Sequence, residues 1–199
     1  MDAAARQRAG SLFPFQGRQL FTRYGGSGEP VLLIHGFPTS SFDWASVWPA
    51  LSKTHTLHAL DMLGFGLSDK PQDYAYTLSA SADQWQAYVQ HLGLPEVSIL
   101  AHDYGNTVAQ ELLARQNEGR LPFRIHKIAF LNGGLFPEAT YPILMQRLLL
   151  GPIGPVIARL SSYRSFAASM TKICRRVPAE QALRAHWHML QRNGGRRVS

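Results

Sequence analysis

Cysteine is almost absent from this 199-residue sequence: Cys174 is the only one. A lone thiol excludes a disulfide framework and any Cys-rich zinc site. Also missing is an uncharged apolar run of the roughly 18 residues that a spanning helix needs. No apolar stretch of signal-peptide length follows Met1–Arg8, so the sequence reads as cytoplasmic rather than secreted. Acidic side chains are scarce in the second half, with ten before residue 115 and three from residue 115 onward, against six and fourteen basic ones. That asymmetry raises two partner classes, nucleic acid and an anionic membrane surface. Nucleic acid is set aside, because no binding motif and no aromatic interleaving accompany the arginines. Membrane-surface association of the apolar segment 142–160 stays open and should weaken with salt, while Arg147, Pro152 and Pro155 argue against spanning.

What is present is a packed-core composition, 45% apolar and 11% aromatic, without repeats or low-complexity tracts. Short apolar runs alternate with helical patterns, which predicts an α/β fold with a mostly parallel sheet. Strands are expected at Leu20–Tyr24, Val31–His35, Thr56–Leu60, Val97–Ala101 and Ile125–Leu131. Helices are expected at Leu78–Leu92, with capping side chains at Thr77 and Ser79, and at Tyr104–Gln116. Beyond Asn132-Gly133-Gly134 the pattern changes to Leu, Ile and Met runs broken by Pro and Gly. Residues 1–134 are therefore read as an α/β core and 135–199 as an incomplete helical lid.

The sharpest motif is Ala101-His102-Asp103-Tyr104-Gly105, running from a strand straight into a helix. Small–x–nucleophile–x–small at such a junction is the pattern of a nucleophile elbow. Ala101 and Gly105 must be small because strand and helix backbones approach closely there. The middle residue projects at a helix N-terminus, which favours negative charge. Here it is Asp103 instead of the usual Ser. A carboxylate is already ionised at neutral pH, needs no base to attack, and leaves an alkyl ester. The competing reading is that Asp103 simply caps the helix.

A second motif, His35-Gly36-Phe37-Pro38, closes an earlier buried strand, where this kind of fold supplies an oxyanion donor. The expected donors are the backbone N–H groups of Phe37 and Tyr104. His35, Gly36 and Pro38 would support that loop, and His102 and Gly105 the elbow. Asp61-Met62-Leu63-Gly64-Phe65-Gly66-Leu67-Ser68-Asp69 approaches a dinucleotide fingerprint, but Asp69 occupies the third glycine position. It is read as a tight loop. No cofactor and no metal are implied, and the expected ligand is a small apolar substrate.

Together these motifs resemble the α/β-hydrolases of the epoxide hydrolase and haloalkane dehalogenase group. Within it, His35-Gly36-Phe37-Pro38-Thr39-Ser40-Ser41 with Asp43-Trp44, Leu63-Gly64-Phe65-Gly66, and His102-Asp103-Tyr104-Gly105 are most similar to the mesoderm-specific transcript branch. The resemblance implies hydrolysis through an alkyl–enzyme ester, most simply of an epoxide. Dehalogenases resemble one another in an Asn after His-Gly and a Trp after the nucleophile. Phe37 and Tyr104 stand there, which makes dehalogenation the lesser alternative. Lid tyrosines protonate the epoxide oxygen in such enzymes; Tyr141 and Tyr163 fall in the lid segment and read more simply as packing.

The order nucleophile, acid, His along the chain places the last two beyond the lid. His126 begins a strand at the end opposite the elbow. His186 and His188 fall in a solvent-edged helical piece, Asn132 is no carboxylate, and Glu138 is a poor substitute. The sequence is thus expected to be a C-terminally truncated hydrolase, inactive or confined to a half-reaction. The rival is a non-enzymatic pseudo-hydrolase that binds a partner or membrane surface. Substrate identity and oligomeric state are not legible.

Overall fold

A computed structural model describes residues 9–133, 162–174 and 178–192. The chain opens with β1 (Ser11–Phe15), β2 (Arg18–Gly26) and β3 (Glu29–Ile34), followed by a 3-10 helix over Ser41–Ser46 and the short α1 (Trp48–Leu51). Then come β4 (His55–Leu60), α2 (Leu78–His91), β5 (Glu96–His102), α3 (Tyr104–Asn117) and β6 (Arg124–Leu131). Two further helices are α4 (Tyr163–Ile173) and α5 (Glu180–Gln191).

The strands form one sheet in the order β1-β2-β4-β3-β5-β6. The four strands from β4 to β6 run parallel, and β1 and β2 add an antiparallel edge, so the sheet is mixed. The β1–β2 hairpin went unmarked in the sequence reading. Its turn, Gln16-Gly17, carries φ of 49° and 75°, the paired positive values of a tight hairpin that follows the strand twist.

The central strand β3 is apolar on both faces, with Leu32, Leu33 and Ile34 buried in succession. Leu32 and Ile34 enter a core with Trp85, Val108 and Leu112. Leu33 points the other way, to Trp44, Trp48 and Leu57. In α2, Thr77 accepts from the Ala80 amide at 3.1 Å, the expected cap. Arg115 of α3, nearly buried, reaches Asp83 at 2.6 Å, Glu111 at 2.9 Å and Ser79, riveting α3 to α2. This fixes the helix that begins at the elbow.

The residue 134/135 boundary, the segment 142–160, Tyr141 and Glu138 lie outside the described residues. Tyr163 begins α4, where its ring packs on Trp187 and under the Arg184 guanidinium. It is a packing residue, as expected.

Candidate active site

Asp103 sits between β5 and α3 with φ 53° and ψ −125°. A non-glycine residue in that region is strained and persists only where its surroundings over-determine it. Those surroundings are visible. The Asp103 amide donates to the Leu131 carbonyl at 3.2 Å, and the Asn106 side-chain amide donates to the same carbonyl at 3.1 Å. The elbow is therefore pinned to the end of β6. Asn106 was not anticipated; a buried Asn one turn into a helix was its only signal.

The elbow also needs its small neighbours. A Cβ on Gly105 would lie 2.5 Å from the Ile34 carbonyl oxygen and 2.7 Å from that of His35. A Cβ on Gly36 would lie 2.6 Å from the Asp103 Cβ. Both glycines are thus required by close approach, and Ala101 is wholly buried.

The Asp103 side chain makes no cap to α3. Its Oδ1 instead accepts from the Phe37 amide at 2.8 Å. The capping alternative is therefore excluded. Tyr104 is the first residue of α3, and first-turn amides have no intrahelical acceptor. The structure thus brings Asp103, the Phe37 amide and the Tyr104 backbone to one place. Pro38 follows Phe37 through a cis peptide bond.

His35 is a support residue. Its Nδ1 donates to the Gly36 carbonyl at 2.9 Å and its Nε2 accepts from the Met62 amide at 3.2 Å. Complete burial lowers its pKa, outweighing the opposing pull of Asp61. The neutral ring therefore staples the His35–Pro38 loop to the Asp61–Asp69 loop. Asp61 organises that second loop, accepting from the Ser41 amide and the Leu67 amide, both at 2.8 Å. These bonds fill the carboxylate within the protein, consistent with a structural loop rather than a nucleotide cradle.

His102 Nε2 donates to Asp43 at 2.8 Å. Burial alone would lower its pKa, but the hydrogen bond and charge of Asp43, with the charge of Asp103, raise it. Asp43 was not singled out as a site residue, since one acidic residue in a helical turn is an ordinary surface pattern. Thr39 donates to the same Asp43 oxygen.

One placement differs from expectation. His186 is not at a solvent edge: its side chain is 13% exposed, its ring packs edge-on to Phe42, and its Nε2 lies 3.8 Å from Asp43 Oδ1. The apolar positions Ala182, Ala185 and Met189 turn that side of α5 inward, onto Phe42. His188 is exposed, as expected. His126 stands at the opposite end of the sheet, 3.9 Å from Glu96. Asn132 is exposed beyond β6 with φ 42°.

Phe37 is half-exposed, and the Tyr104 hydroxyl lies 3.1 Å from Ser81 Oγ. No group of three or more His, Cys, Asp and Glu side chains suited to a metal occurs among the described residues. No described helix is long and apolar enough to cross a membrane.

Comparison with known proteins agrees with this geometry. The mesoderm-specific transcript homolog protein of Bos taurus is 40% identical over 204 residues, covering 96% of this chain and 60% of that protein. The chain therefore spans about 60% of the length of such curated relatives. A soluble epoxide hydrolase of Corynebacterium sp. (strain C12) is 39% identical over 84 residues, covering 42% of this chain and 29% of its own. The solved structure of epoxide hydrolase CorEH without ligand superimposes with a TM-score of 0.79 at 24% identity, covering 95% of this chain and 70% of that one. The model of the alpha/beta hydrolase fold family matches residues 29–152, which hold the His35–Pro38 loop and the strand–helix junction at Asp103 alike. With its sheet order, its strained strand–helix junction and that match, the chain belongs to the α/β-hydrolase fold family.

Proposed function

We propose that Asp103 is the nucleophile of an epoxide-hydrolase-like site that works through an alkyl–enzyme ester. The observation that carries this reading is the side-chain bond of Asp103: Oδ1 is held by the Phe37 amide, and the helix is left uncapped. One carboxylate oxygen is anchored and Oδ2 is the oxygen left to attack. In the first half-reaction Oδ2 forms a bond to an epoxide carbon, the carbon–oxygen bond of the ring breaks, and the resulting alkoxide takes a proton from water. The carboxylate charge is lost as the ester forms, and Oδ1 becomes the ester carbonyl oxygen.

Hydrolysis of that ester requires water to add to the Asp103 carboxyl carbon, placing negative charge on Oδ1. The Phe37 and Tyr104 amides are the donors for that charge. The water must also lose a proton to a base. Of the candidate histidines, His35 is locked in a buried staple, His102 and His186 both face Asp43, His188 is exposed on α5, and His126 lies at the far end of the sheet. The described residues thus favour the first half-reaction over turnover. The ligand proposed is a small apolar epoxide, with no cofactor. Dehalogenation is the weaker reading because Phe37 and Tyr104 offer no side-chain N–H.

Steady-state assay of diol formation from styrene oxide tests this. The expected result is no sustained diol release. Multiple turnovers that disappear in Asp103→Ala would retain the nucleophile and discard the half-reaction. Turnover unaffected by that substitution would discard the nucleophile itself.

A further inference from the structure

The loop that carries the Phe37 amide is not held by the core alone. Helix α5 rests on it through three contacts. Phe42 packs with Ala185 and Met189, Met189 Sδ accepts from Ser40 Oγ at 3.7 Å, and His186 Nε2 faces Asp43 Oδ1 at 3.8 Å. The other Asp43 oxygen accepts from His102, the residue immediately before Asp103. One carboxylate, on the first turn of the 3-10 helix, therefore joins three elements at once: the Phe37 loop through Thr39, the end of β5 through His102, and α5 through His186.

We propose that Asp43 is a positioning residue that keys α5 to the catalytic loop, with His186 as the α5 partner. Docked α5 then fixes the turn that presents the Phe37 amide to Asp103. This rests on the proposed role of Asp103 for its consequence in chemistry, but not for the clasp itself.

The surroundings suit an ion pair. Burial pushes the Asp43 carboxyl up, yet the His102 hydrogen bond and the charges of His186 and His102 bring it below its ordinary value. The carboxylate is therefore retained across the range in which an imidazole titrates. The polar groups facing Asp43 are Thr39, His102 and His186. Behind His102 lie Asp103 and His35, and past the end of α5 Arg192 faces Lys70. When His186 loses its proton the clasp loses its charge, while His102 and Thr39 stay on Asp43. Release of α5 with rising pH is the expected sign.

Hydrogen-exchange protection of residues 180–191 in the full chain, followed from pH 5.5 to 8.5, tests the clasp without any substrate. Protection in the native sequence should fall by about tenfold through the imidazole range, the loss of one charge-assisted contact. His186→Phe, which keeps a ring against Phe42, should show low protection with no such step. His188→Gln, on the same helix, should keep it. An unchanged step in His186→Phe, or its loss in His188→Gln, would overturn the proposal. Asp43→Asn should abolish the step as well. If that variant does not fold, His186→Gln replaces it with the same expectation. In parallel, the alkylation rate of Asp103 by styrene oxide should drop about tenfold in His186→Phe. If the native chain forms no adduct, the nucleophile reading fails while the exchange data still decide the clasp. A pH step confined to α5 with an unchanged alkylation rate would remove the positioning role.

Discussion

The Phe37 amide and Asp103 Oδ1, separated by 66 positions in the sequence, meet at 2.8 Å. That contact is the hinge between fold and chemistry. It uses the strain of the elbow to aim a carboxylate at a backbone donor instead of at its own helix. The strained φ of Asp103, the close approach of Gly36 to Asp103 and that of Gly105 to the Ile34 and His35 carbonyls all go with building that meeting point.

Strain at the elbow is measurable. Asp103→Gly and Asp103→Ala both remove the carboxylate and its bond to Phe37. Only glycine also adopts φ 53° without a Cβ penalty. Thermal unfolding should therefore find Asp103→Gly more stable than Asp103→Ala by about 1–2 kcal/mol. Equal stabilities would mean that the elbow stores no strain.

Gly105→Ala should be costly for a different reason. The added methyl meets two backbone oxygens, which cannot rotate away. Urea unfolding should show a loss of about 1–3 kcal/mol, the usual range for overpacking a close approach. A neutral result would show that α3 and β3 separate freely.

Much of this was legible in the sequence. The small–x–Asp–x–small pattern at Ala101–Gly105 and the His35–Pro38 loop are local signals, and each reports a backbone constraint that only certain residue types satisfy. The apolar runs of β3 and β5 are equally local. What was not legible is tertiary. Asp43 is one acidic residue in a helical turn until His102 and His186 are seen converging on it from distant elements. His186 read as solvent-edged because its helix is polar overall. It shares the face that Ala182, Ala185 and Met189 mark at helical spacing, but that this face docks on Phe42 is a tertiary fact that the spacing does not reveal. The β1–β2 hairpin was missed because Gln16 is an unusual residue for a turn with positive φ.

Riveting of α3 to α2 by Arg115 gives a third expectation. Its side chain is 6% exposed and bonded to Asp83, Glu111, Gln86 and Ser79. Arg115→Ala should cost about 2–3 kcal/mol by chemical denaturation, since it removes several charge-assisted bonds from a nearly buried group. A change below about 0.5 kcal/mol would place the rivet with ordinary surface ion pairs.

The His102–Asp43 pair makes stability depend on pH with a defined sign. The pKa of His102 is raised in the folded chain, so its contribution is full below the unfolded value near 6.5 and is lost as pH rises through the folded value. The buried His35, whose pKa is lowered, acts oppositely and loses stability as pH falls below about 6.5. The two are separated by difference. The stability of the native chain minus that of His102→Gln should shrink as pH rises from 6 to 9. A difference that is flat or grows over that interval would contradict the raised His102 pKa.

The proposed nucleophile is read out by intact-mass spectrometry of the purified chain after incubation with styrene oxide. With Asp103 attacking the epoxide, the chain gains one equivalent, mapped by peptide sequencing to Asp103, persistent on standing and absent from Asp103→Ala. Folded protein that gains no adduct, or gains the same adduct without Asp103, would contradict it.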